Sequence, residues 1–129
     1  MNYDLKSPIL GFEHIEKVKL EKIDQMFAKI TNQEQHFEIY LVNPYELREY
    51  SFDIPKNIEL LLSLNANSKV EVYCVLVLQK NLEDSLVNLL APIVFNHDNH
   101  TAAQVSLLIS NYPSFSFKAP LCSFVKKSA

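Results

Sequence analysis

The side chains best suited to chemistry lie in one short run, Asn96-His97-Asp98-Asn99-His100. Two imidazoles and a carboxylate in five residues raise the prospect of a metal. Zinc, however, needs three or four ligands held in fixed geometry. One flexible turn supplies poor geometry, and no fourth ligand stands near it, so the run reads as a solvated hairpin loop. His14 and His36 fall in separate loops without a partner pattern. The chain holds a single glycine, which excludes a nucleophile elbow, a phosphate loop and a dinucleotide fingerprint. Cys74 sits in an apolar run, where burial raises a thiol's pKa and blunts it as a nucleophile. Cys122 is isolated in the tail, and two unpaired cysteines fit reduced thiols better than a disulfide framework. Glu83-Asp84 is adjacent in sequence and reads as solvated. No nucleophile, base and orienting group form a set, so the sequence implies neither an enzyme nor a cofactor.

The elements that must position these residues are mostly strands. A chain of 129 residues, 48% of them hydrophobic, forms one domain with a sizeable core. Its six Tyr and eight Phe, with many Val, Ile and Leu, favour strands. Period-2 alternation marks strands at Tyr3–Leu5, Val18–Leu20, Met26–Ile30, Phe37–Val42 and Tyr50–Ile54. Lys69–Gln79 is the strongest; its second half is apolar on both faces and belongs in the core. Turns fall at Pro8–Gly11, Thr31–His36, Asn43-Pro44 and Asn81–Asp84. One helix opens near Asp53-Ile54-Pro55 and buries Ile58, Leu61 and Leu62 at i, i+3, i+4. Two further strands flank the His97 loop, the second alternating from Ala102 to Ile109. The tail is loose from about residue 118, while Tyr112–Phe117 stays near the body. Many short strands with one helix make a mostly-β sandwich or barrel, residues 1–129 forming a single domain.

The net charge is −3, without the basic patch of a nucleic-acid binder. A mildly acidic surface suits a basic protein partner. No apolar run reaches the ~18 residues of a membrane span, and no signal peptide is visible at the N-terminus. Among the aromatics Tyr40, Tyr45, Tyr50 and Phe52, some belong to the core and at least one is a candidate for a binding face. The hairpin offers another candidate. Pro92 cannot donate to a ladder, so its strand lies at a sheet edge or carries a bulge. An edge would be a docking line. Asn88, Asn96 and Gln104 place polar groups beside Pro92, so Asn88, Pro92, Asn96 and Gln104 are the expected partner-binding residues.

Several of these stretches resemble the flagellar assembly factor FliW family. Pro8-Ile9-Leu10-Gly11-Phe12-Glu13 is similar to that family's Gly-Phe-Glu bend. Asn88-Leu89-Leu90-Ala91-Pro92-Ile93-Val94-x-Asn96, then Gln104-Val105, resembles its hairpin. Asn43-Pro44 and Tyr50-x-Phe52-x-Ile54-Pro55 match in order. The resemblance spans about residues 8–110. It implies a small antiparallel β-barrel-like domain in the cytoplasm with two protein partners, flagellin and the RNA-binding translational regulator CsrA. It further implies that binding CsrA relieves repression of flagellin mRNA, with no direct contact to nucleic acid or membrane. The alternative from the residues is a β-barrel that binds a small apolar ligand. A metal-dependent hydrolase centred on His97 and His100 is the third reading.

Overall fold

The computed structural model describes residues 2–124. Its strands are β1 (Asn2–Ser7), β2 (Lys17–Lys22), β3 (Phe27–Asn32), β4 (Phe37–Val42), β5 (Val70–Val77), β6 (Leu86–Val87), β7 (Ile93–Asn96), β8 (Thr101–Gln104) and β9 (Ala119–Pro120). One α-helix, α1 (Lys56–Leu61), lies between β4 and β5. The order β4-β3-β2-β1-β8-β7-β5 closes on itself through β4–β5, giving a seven-stranded barrel. Every pairing is antiparallel except β1–β8, which runs parallel and shifts register between Leu5 and Ser7. β6 and β9 extend the sheet beyond β5.

Period-2 alternation explains two cores rather than one. Inside the barrel, Tyr3, Val18, Leu20, Ala28, Ile30, Leu41, Tyr73, Ile93 and Phe95 pack together. Small Ala28 and Ala102 make room for the rings of Tyr3, Tyr73 and Phe95, so side chains fill the interior. The opposite faces of β5, β7 and β8 carry Val72, Cys74, Leu76, Val94 and Ala103 into a second core. That core is roofed by Leu47, Tyr50, Ile58 and Leu62 from the segment after β4, and by Val105, Phe115 and Leu121 from the C-terminal segment. Val72, Tyr73, Cys74 and Leu76 of β5 therefore serve two cores, but the second half of the run is not fully in the core as expected: Val77 is 53% exposed and Leu78 45%, beyond the last β4 pairing at Leu76.

Several expectations need correction. Tyr50–Ile54 alternates but joins no ladder; it lies extended over the second core, with Tyr50 buried and Asp53 N donating to Tyr112 Oη at 3.0 Å. Alternation here reflects packing against a sheet face rather than membership of the sheet. The helix starts later, with Pro55 at its N-cap and no side-chain cap from Asp53. Ile58 and Leu62 are buried, but Leu61 is 44% exposed, because a single short turn buries a narrow stripe. The strand from Ala102 leaves the ladder after Gln104, and Leu108 and Ile109 are exposed. The loose tail expected from about residue 118 does not hold for residues 119–124. Ala119–Pro120 pairs with β6, and Ala119 and Leu121 are buried. Residues 125–129 lie outside the described residues.

Candidate functional site

The hairpin motif builds a bulged excursion in the barrel wall. Between the Leu76–Val87 and Tyr73–Ile93 pairs, β5 advances by three residues and its partner by six. Residues 88–92 thus stand opposite Cys74 and Val75 alone, a surplus of three residues, and Pro92 is buried among them. The bulge alternative for Pro92 holds. The edge alternative does not, because β7 is paired on both sides, with β5 and with β8. β7 begins only after Pro92, so no ladder donor is required of the proline.

The carbonyls of residues 89–92 each accept a hydrogen bond, as burial demands. Leu89 O accepts from Tyr50 Oη at 2.8 Å and Leu90 O from Leu107 N at 2.8 Å. Ala91 O accepts from Gln104 Nε2 at 3.1 Å and Pro92 O from Val105 N at 2.8 Å. Asn88 Oδ1 accepts from Leu90 N at 3.0 Å, turning the chain into the excursion. Gln104 also reaches outward, where its Oε1 accepts from Leu10 N at 2.8 Å. It thereby holds the Ile9–Phe12 bend, in which Gly11 has φ 89°, a conformation that favours glycine. The bend presents Leu10, 77% exposed, beside Phe12, whose ring meets Phe37 edge-on.

Asn96 is buried on the second-core side. Its Nδ2 donates to Leu62 O at 2.7 Å, and its Oδ1 accepts from Asp98 N at 3.0 Å. The side chain ties the end of α1 to the barrel. Of the four expected residues, Asn88, Pro92 and Gln104 thus converge on the excursion, while Asn96 serves the helix junction. The loop's left-handed residue is His100, at φ 55°, rather than an Asn or Asp.

His97 is not a solvated loop residue. Its Nδ1 meets Tyr3 Oη at 2.5 Å and its Nε2 meets Glu71 Oε1 at 2.6 Å. Lys22 Nζ lies 2.8 Å from the same carboxylate oxygen, and Tyr73 Oη donates to Oε2 at 3.3 Å. β1, β2, β5 and the β7–β8 loop are linked by this relay. Partial burial works against the Glu71 charge, but Lys22 and His97 outweigh it and hold the carboxyl below its ordinary range. Burial, then the Glu71 charge, pushes Tyr73 up to about 12 and Tyr3 upward. Of the relay's members the sequence singles out His97 alone, and for a different chemistry. The available signal was Glu71, a carboxylate within the apolar run of β5.

Other groups are chemically quiet. Cys74 is buried, and burial pushes its thiol up to about 12. Tyr50 is raised by burial and then by Cys74, and its ring stacks on Phe115 at 4.7 Å. Tyr50 is therefore core, whereas Tyr45 is 51% exposed and Tyr40 and Phe52 are half-buried. Among the described residues no three His, Cys, Asp or Glu side chains gather in metal-holding geometry. No described helix is long and apolar enough to cross a membrane.

Fold and site define a small closed β-barrel whose polar side chains fix backbone, with a bulged wall and a pinned apolar bend as its special features. The FliW protein family matches residues 2–121, and the chain belongs to that family of flagellar assembly factors. It is 63% identical over 130 residues to flagellar assembly factor FliW 1 of Helicobacter pylori strain HPAG1, covering 98% of this chain and 96% of that protein. It is 52% identical over 128 residues to FliW 1 of Wolinella succinogenes, covering 98% of this chain and 100% of that protein. A crystal structure of the flagellar assembly factor FliW superposes with a TM-score of 0.82 at 23% identity, covering 98% of this chain and 88% of that one. That likeness shows the same barrel fold.

Proposed function

We propose that this chain acts in the cytoplasm as a non-enzymatic flagellar assembly factor that binds flagellin before export and binds CsrA. Binding CsrA relieves its repression of flagellin translation. Family membership over residues 2–121 is the observation that carries this reading. The net charge of −3 supports a basic, RNA-binding partner and disfavours direct contact with RNA. The interior of the barrel argues against the apolar-ligand alternative, since Tyr3, Ile30, Leu41, Ile93 and Phe95 fill it.

The hairpin contributes to a partner surface in this reading, and Gln104 is its most direct member. It reaches the exposed bend, while Asn88, Pro92 and Asn96 fix the shape beneath. The test is a pull-down from the lysate of a flagellated bacterium, with bound proteins identified. Recovery of flagellin and CsrA is expected; recovery of neither would defeat the proposal.

A further inference from the structure

The barrel closes through β4 and β5 over three residue pairs only, Tyr40–Leu76, Leu41–Val75 and Val42–Cys74. Before Cys74 the β4 side of β5 carries no strand, while β7 pairs the other side from Val70 to Tyr73. The N–H and C=O of one residue point to the same side of a strand, and the side alternates along the chain. Lys69 O accepts from His97 N at 2.9 Å and Val75 O from Asn88 N at 3.1 Å, so from Lys69 to Val75 the odd-numbered residues face β7 and β6. Val70 and Val72 therefore turn their N–H and C=O groups to the open side. Neither backbone has a hydrogen-bond partner there among the described residues.

The sequence causes this opening. A continued β4 would set Pro44 against Val72, and proline has no N–H to donate to Val72 O. Pro44 O, which would accept from Val72 N, takes Leu47 N at 3.1 Å and Arg48 N at 3.2 Å instead. Val72 is only 8% exposed, which leaves its backbone groups little water, and buried backbone groups are rarely left unpaired. Two hollows meet along the open edge and share Asn43 and Glu71. Alternation places them on opposite faces of β5, since Val72 belongs to the second core and Tyr73 to the barrel interior. The first, about 390 Å³, is lined by Tyr45, Phe52, Ile54, Val70 and Val72 and is mainly apolar. The second, about 590 Å³, is largely polar and carries both signs of charge, with Lys22, Asp24, Gln25, Glu46 and Glu71 in its lining.

We propose that the β5 edge at Val70–Val72 docks an extended segment of a partner protein, which adds a strand beside β5 where β4 turns away. The unpaired backbone groups specify a strand as the occupant, and the two hollows specify its side chains. They alternate, apolar ones entering the hollow of Tyr45, Phe52 and Ile54 and polar ones meeting that of Lys22 and Glu46. An edge recessed between two hollows cannot meet the same recessed edge of a second copy, whereas a single extended chain fits it. The inference stands on the geometry of barrel closure and goes beyond the proposed function.

Random linear peptides displayed on phage are selected on the purified chain, and the selected peptides are synthesised. Their sequences are expected to alternate apolar and polar residues. Each peptide is also made with a single backbone N-methyl group placed in turn at every position. A bound strand turns every second amide toward β5, so methylation at those positions is expected to weaken binding at least about tenfold, and at the positions between less than about threefold. Amide hydrogen exchange locates the peptide: the Val70 and Val72 amides are expected to slow at least about tenfold when it is bound. Both readings use the unaltered chain, so no folding defect can imitate them. Failure to select any peptide, N-methyl effects without the two-residue period, or unchanged exchange at Val70 and Val72 overturns the proposal.

Discussion

Asn96→Ala removes both hydrogen bonds of a side chain that is 1% exposed, the Nδ2 bond to Leu62 O at 2.7 Å and the Oδ1 bond from Asp98 N at 3.0 Å. A net hydrogen bond contributes about 0.5–1.5 kcal/mol, and an orphaned buried group costs about 1–3 kcal/mol. Leu62 O keeps the bond from Asn99 Nδ2 at 2.9 Å, and Asp98 is exposed, so neither partner is left fully unmet. The expected loss is therefore ~2 kcal/mol. Asn96→Asp preserves the shape but faces Leu62 O with a carboxylate oxygen in place of a donor. Its loss at pH 7 is larger, about 3 kcal/mol or more. Burial raises the introduced carboxyl's pKa in the folded state, so its destabilisation is greatest above that value. The loss shrinks as pH falls through it, and the recovery is complete below the unfolded value of about 3.9. Urea unfolding followed by circular dichroism, with each variant compared to the unaltered chain at matched pH, reads these differences. An Asn96→Ala loss under ~0.5 kcal/mol, or a pH-independent Asn96→Asp loss, would refute the role of Asn96 as the clasp on α1.

Three further outcomes follow from the same geometry. Lys22 and His97 hold Glu71 below its ordinary pKa despite burial, so its contribution is present above the unfolded value of about 4.3 and is lost as pH falls through the folded value. Glu71→Gln should cost about 1–2 kcal/mol at pH 7 and converge with the unaltered chain in acid; a constant gap in urea titrations would contradict this. Maleimide at pH 7 should label exposed Cys122 and leave buried Cys74 untouched until urea unfolds the chain, and equal labelling rates would contradict the burial. Gln104→Ala should cost about 1 kcal/mol and speed hydrogen exchange at the Leu10 amide, which it binds at 2.8 Å; unchanged protection would remove Gln104 as the clamp on the bend.

Alternation located β1 to β4 because each buries one face more than the other, whereas β7, β8 and the middle of β5 are covered on both faces. It failed at Tyr50–Ile54, where side chains alternate against a core without backbone pairing. Pro92 announced an irregularity, but its nature depended on how β6 and β7 share one edge of β5, which is long-range information. The bond from Gln104 to Leu10 joins residues far apart in sequence, as do those from His97 to Tyr3 and Glu71. No local pattern reports such pairs. The His97 loop was therefore read as solvent-facing, which holds for exposed Asp98, Asn99 and His100, whereas barrel closure brings His97 itself against β1 and β5. The aromatic residues divided between core and surface by register: Tyr50 stacks on Phe115, and Tyr45 stands open.

The proposed regulation through CsrA is addressed most directly by an in vitro translation reaction. Flagellin mRNA is translated with purified CsrA at a repressing concentration, and this chain is then added, alone or with excess flagellin. The chain is expected to restore flagellin synthesis, excess flagellin to cancel the restoration, and the chain alone to leave the mRNA unshifted in a gel. Synthesis that stays repressed at saturating chain, or an mRNA shift by the chain without CsrA, would contradict it.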